Sequence, residues 1–130
     1  MRQTQLIITI AACLLATSQV SAEQQPANPV KLTSAITTLD GHEGIIADVS
    51  IEPGAAMPVH QHPGDEFLYM LSGSVELAQE NQPPLILSAG DAHKIAAGTI
   101  HSPKAGPEGA RAIVFRVHPS GEPVTVIINE

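Results

Sequence analysis

The sequence predicts an all-β protein, a small double-sheet jelly-roll barrel, and three observations carry that expectation. From Val30 onward, short apolar runs alternate with turn residues at the spacing of an antiparallel sandwich or barrel. No stretch of that region repeats its apolar residues at helical period. The chain has 130 residues, 43% of them hydrophobic, with 10 glycines and 11 prolines, which suits one compact domain and no more.

The first 22 residues stand outside that domain. Arg2 supplies a positive start, Leu6 to Ala16 is an apolar run, and Val20-Ser21-Ala22 is the small-residue pattern of a signal-peptidase site. The run is too short to span a bilayer, so cleavage after Ala22 and export to the periplasm or beyond are expected. Ile10-Ala11-Ala12-Cys13 resembles a lipobox, but apolar residues continue past Cys13, which favours ordinary cleavage over lipidation. Cys13 then leaves with the signal, and the mature chain has neither a disulfide nor a thiolate ligand.

Loss of Arg2 takes the formal charge from −7 to −8. Lys31, Lys94, Lys104, Arg111 and Arg116 are scattered among 13 carboxylates, with no basic stripe for nucleic acid. Residues 23–29 are polar and proline-containing and read as a flexible lead-in to a single domain over residues 30–130.

Within the domain the strands follow in order. Val30 to Thr38 and Ile45 to Ile51 flank the Asp40-Gly41 turn, and Glu52-Pro53-Gly54 ends the second. Phe67 to Leu71 and Ser74 to Gln79 flank Ser72-Gly73; Leu85 to Ser88 follows a loop with Pro83 and Pro84. Thr99 to Ser102, Arg111 to Val117 and Val124 to Ile128 complete the set.

The stretch from Gly54 to Gly73 carries the chemistry. His60 and His62 sit two apart, so on a strand they share a face with Cα atoms roughly 7 Å apart. Pro63 and Gly64 break any helix before Glu66, so the segment is strand, tight bend, strand. Two imidazoles and a carboxylate suit a divalent first-row ion (Mn, Fe, Co, Ni or Zn) better than Ca or Mg. A fourth ligand is offered by His101, in the run Gly90 to Ala105.

These two segments resemble the paired motifs of the cupin superfamily. Gly54, His60, His62, Glu66 and Gly73 match the first motif throughout; Gly90, Gly98 and His101 match the second, which departs at Ala96 and Ala105. The resemblance implies a jelly-roll barrel with one transition metal held by His60, His62, Glu66 and His101. It also implies a catalytic part for Glu66 as proton acceptor, as similar dioxygenases suggest, with Asp65 beside it as the candidate to tune it. Function varies across such proteins. A metal-dependent, dioxygenase-like oxidoreductase acting on a small oxygenated organic or phenolic ligand ranks first. A non-catalytic metal or metabolite binder of the cell envelope ranks second, and a metal-free epimerase last.

Other residues have plainer readings. His42 and His118 read as solvated loop residues, and His93 as a residue of the second motif that the family does not use for ligation. If Glu66 points inward, Leu68 and Met70 follow it, and Phe67, Tyr69 and Leu71 face outward. That apolar outer face suggests a homodimer. Met57, Leu68, Met70, Val75, Leu77 and Phe115 are expected around the pocket.

Overall fold

The computed structural model describes residues 29–129. The expected signal segment, the lipobox-like Cys13 and the expected lead-in up to residue 28 lie outside the described residues. Eight strands follow in chain order: β1 (Val30–Ala35), β2 (His42–Ile51), β3 (His60–Gln61), β4 (Asp65–Gln79), β5 (Leu85–Ser88), β6 (Ala92–Ile95), β7 (His101–Pro119) and β8 (Val126–Ile127). All their pairings are antiparallel. The all-β jelly-roll barrel is the observed fold. Among the described residues no helix is long and apolar enough to cross a membrane.

The long strand β7 joins the two halves. Its C-terminal part pairs β2 from Ala110 to Pro119, while β4 lies along nearly its whole length. β1 extends the sheet beyond β2, β3 and β8 extend it beyond the start of β7, and β5 and β6 extend it beyond β4. A single sheet of this kind can enclose a core only if its long strands bend. They bend where the β4·β7 register slips, between Met70 and Ser72 and between Gly73 and Val75.

Gly73 makes the second slip possible. Its φ is +68°, and a Cβ placed there would lie 1.9 Å from the Gly109 carbonyl oxygen, so only glycine fits. The first slip, with two residues of β4 against one of β7, reverses the phase of the strand. Glu66 and Met70 are buried before it, and Val75, Leu77 and Gln79 after it. Ser72-Gly73, expected to be a turn between two strands, is therefore an irregularity inside one.

The core lies between the curled halves. β2 alternates strictly, burying Ile45, Ala47, Val49 and Ile51. Of these, Ala47, Val49 and Ile51 pack with Met70, Val75, Leu77, Leu87, Ile95 and Val114 from the other strands. Met70 and Leu77 are 1% exposed, and burial of each contributes about 1.5–3 kcal/mol.

Two expectations are corrected by the register of β7. The expected strands Thr99 to Ser102 and Arg111 to Val117 are joined in one strand, which begins only at His101 and runs on to Pro119. Its inward residues over the second half are Ala112, Val114, Arg116 and His118, so Phe115 faces outward, 37% exposed, and does not line the pocket. For the same reason His118 is not a solvated loop residue. It is 1% exposed, and its Nε2 donates to the Glu122 carbonyl at 3.0 Å.

Candidate metal centre

Three of the sequence-selected residues converge. His60, His62 and His101 are all buried, and each offers a ring nitrogen such that the three atoms lie within 4.8 Å of one another. Two local features place them. His60 on β3 pairs directly with His101 at the start of β7, which brings the second motif onto the first. The bend at Pro63-Gly64 then returns the chain into β4. A Cβ at Gly64 would lie 1.9 Å from the Val117 carbonyl oxygen, so the bend can press this close to β7 only with glycine.

The aim of the rings comes from the main chain. His60 Nδ1–H donates to the Pro58 carbonyl at 2.6 Å, His62 Nδ1–H to Val124 at 2.6 Å, and His101 Nδ1–H to Thr99 at 2.9 Å. A carbonyl oxygen can only accept, so each Nδ1 carries a proton, and in the neutral ring Nε2 keeps the lone pair. That is the tautomer a metal-ligating imidazole needs. Burial pushes the His60 imidazolium down to about 4, against the raising effect of the Pro58 carbonyl, and the neighbouring imidazoles push the same way. Burial likewise lowers His101, so these rings stay neutral near pH 7.

Glu66, expected as the fourth ligand, adjoins this cluster from one side. Its Oε2 lies 3.0 Å from His62 Nε2. With the His62 ring neutral and its proton on Nδ1, that short contact sets a lone pair against a carboxylate oxygen. His62 Nε2 is buried with no well-aimed hydrogen-bond partner among the described residues. A cation relieves both defects at once, so the donor set fits a metal ion.

The sequence reading missed Arg116. It stands opposite Glu66 in the β4·β7 register, and its Nε–H donates to Glu66 Oε2 at 2.6 Å. The two residues are 4% and 5% exposed. Burial alone would raise the Glu66 pKa; the Arg116 guanidinium opposes it and holds the carboxyl below its usual range. The signal available in the sequence was the lone arginine in the apolar run Ala112 to Val117, at a position whose parity matches Val114.

Asp65 does not tune Glu66. It accepts from the Ala97 N–H at 3.0 Å and pairs with Lys94 Nζ at 2.8 Å, and these bonds, Lys94 first, hold its carboxyl below the usual range. It thus ties down the turn before His101. That turn closes without a proline at position 96: the Thr99 N–H reaches the Ala96 carbonyl at 3.1 Å, and the Gly98 N–H reaches that of His62 at 2.8 Å. Ala105, the other departure, is buried and packs in the core. His93 sits opposite Leu68 on β6 and does not line the cavity. His42 opens β2, and its ring donates to the Asp40 carbonyl at 3.0 Å.

The cluster opens on an internal cavity with about 50 Å³ of water-accessible space. Its polar wall is His60, Glu66, His101 and Arg116, and Met57, Leu68, Met70, Val75 and Leu77 line it as expected. By volume it admits on the order of four waters, or a ligand of a few heavy atoms.

Comparison with known proteins agrees with this architecture. A family model described as a cupin domain matches residues 47–117, more than half of the chain. An uncharacterized conserved protein with a double-stranded beta-helix domain from Klebsiella pneumoniae superposes with a TM-score of 0.65 at 23% identity, covering 85% of this chain and 90% of that one. A cupin-like protein from Thermotoga maritima gives 0.58 at 24% identity, covering 67% and 65%. The DMSP lyase DddQ from Ruegeria pomeroyi gives 0.56 at 26% identity over 68% of this chain and 44% of that one. No curated protein sequence matches.

Proposed function

The chain belongs to the cupin family, and from that premise we propose an exported, metal-dependent enzyme in which His60, His62, His101 and Glu66 hold one divalent transition ion. The reaction proposed is a dioxygenase-like oxidation of a small oxygenated organic or phenolic substrate. The observation that carries the metal reading is the set of three carbonyl-anchored imidazoles, with a buried, unpartnered His62 Nε2 facing a carboxylate.

When bound, such an ion supplies Lewis acidity and, if redox-active, electron transfer. The chain's own residues do the rest. The three imidazoles are aimed by main-chain carbonyls, with His60 and His101 held neutral by burial; Leu68, Met70 and Leu77 exclude bulk water; and Glu66, kept ionised by Arg116, is a weak base that soon releases any proton it takes. That balance suits passing a proton on rather than storing it. Exposed Phe67, Tyr69, Leu71 and Phe115 form the outer apolar face on which a homodimer is proposed.

Elemental analysis of mature protein purified without added metal or nickel resin tests this reading. A redox-active metal with oxygen uptake on a phenolic panel supports it. Turnover without oxygen consumption would replace oxidation with a lyase reaction, the activity in the name of the Ruegeria protein. Stoichiometric metal with no turnover leaves a binding protein, and absence of any first-row metal overturns the centre itself.

A further inference from the structure

The Arg116 side chain does more than hold Glu66. Among the described residues its only hydrogen bond is from Nε–H to Glu66 Oε2, although the residue is 4% exposed and lines the cavity. A guanidinium has five N–H donors in a rigid fork. Neither Nη nitrogen has a hydrogen-bond partner among the described residues, and the side chain lines the cavity.

The charge count points the same way. The imidazoles that ligate are neutral, and Glu66 and Arg116 cancel. A divalent ion therefore leaves the full double positive charge in a cavity walled by Val49, Ile51, Leu68, Met70, Leu77 and Ile95. Uncompensated charge in such surroundings is strongly disfavoured. Without the arginine, Glu66 would already have offset half of it.

We propose that the ligand of this cavity is a small organic anion, a carboxylate, whose oxygens are taken by the Arg116 Nη groups while another oxygen of the same molecule turns toward the imidazole cluster. This rests on the metal reading and narrows its substrate class from oxygenated organics in general to acids. A planar fork matched to a planar carboxylate gives orientation as well as attraction. The limited volume restricts the acid to one of a few heavy atoms, its carboxylate included.

The test uses zinc-loaded mature protein and two probes, glycolate and its neutral isostere glycolamide, with dissociation constants from calorimetry. Glycolate is expected to bind at least about tenfold more tightly than glycolamide, and Arg116→Lys to weaken glycolate by at least about tenfold with zinc still at one per chain. Lysine keeps the charge but not the fork, so equal glycolate affinity in the two proteins overturns the proposal and leaves the metal as sole holder of the anion. Should the variant not fold, ¹⁵N resonances of the wild-type Arg116 guanidinium decide. They shift with glycolate and not with glycolamide, in metal-free protein as well, and unchanged resonances overturn it. Failure of the protein to take up zinc would sink the metal reading separately, since the metal-free resonances still report on Arg116.

Discussion

Glu66 and Arg116 face each other across adjacent antiparallel strands, buried on both sides, with the Arg116 Nε–H 2.6 Å from Glu66 Oε2. Removing one member strands the other without a counter-charge. Arg116→Met is expected to destabilise the apoprotein by about 3–5 kcal/mol, and the Glu66→Gln/Arg116→Met pair to recover much of that. Urea unfolding of the four species in a double-mutant cycle measures the coupling, and additive losses would show the contact to be energetically idle.

A metal that binds only the folded barrel stabilises it by mass action. At a free concentration a hundred times its dissociation constant, the gain is about 2.7 kcal/mol, read as a rise in Tm. His62→Ala removes the ring whose Nε2 lacks a partner, and should abolish both the rise and the bound metal. A persistent rise in that variant would place the ion elsewhere.

The pH dependence of the apoprotein follows from the buried rings. The folded pKa of His60, about 4, lies below its ordinary 6.5, and that of His101 is lowered too. Between those two values the unfolded chain binds more protons than the folded one. Stability is therefore full above the ordinary value and falls as pH drops toward about 4, by at most about 1.4 kcal/mol per pH unit for each histidine. Denaturant midpoints measured across that range check the slope, and a flat profile would refute neutral burial of the rings. Bound metal steepens the dependence, because protons then compete with it for the same nitrogens.

Gly54 and Gly73 share nearly the same backbone conformation, with φ of +71° and +68°, but differ in surroundings. A Cβ at Gly54 meets nothing within 4 Å, whereas at Gly73 it would strike the Gly109 carbonyl. Gly54→Ala should therefore cost about 1 kcal/mol, the strain of the left-handed region alone. Gly73→Ala should cost several times more and disturb the β4·β7 register. Thermal unfolding of the two variants compares them directly, and equal losses would mean that the strands part easily at the bulge.

The proposed dimer rests on Phe67, Tyr69, Leu71 and Phe115, which are 37–50% exposed on one face. Sedimentation equilibrium of mature protein is expected to give twice the chain mass, and Tyr69→Glu to return it to one. A monomer in the wild type would remove the dimer.

The local part of the site was legible in the sequence because its information is local. Spacing alone put His60 and His62 together, and motif resemblance supplied His101. The inward parity of Leu68 and Met70 followed from Glu66. What escaped depends on register between distant strands. Arg116 meets Glu66 only because β4 and β7 pair over 50 residues of separation, past two slips. Phe115 and His118 were misplaced together because both depend on the phase of β7, which alternation within an apolar run leaves undetermined. β6 was not anticipated because Ala92 to Ile95 has too few apolar residues to announce a strand. It is held there by pairing with β4.

The three imidazoles are oriented by the carbonyls of Pro58, Thr99 and Val124. Every residue type carries a carbonyl, so the alignment is indifferent to which side chains occupy those positions. Substitutions can accumulate around the rings without detuning them, provided the backbone keeps its path. Drift in this barrel should therefore rewrite the cavity wall, and with it the choice of guest, long before it blinds the histidines.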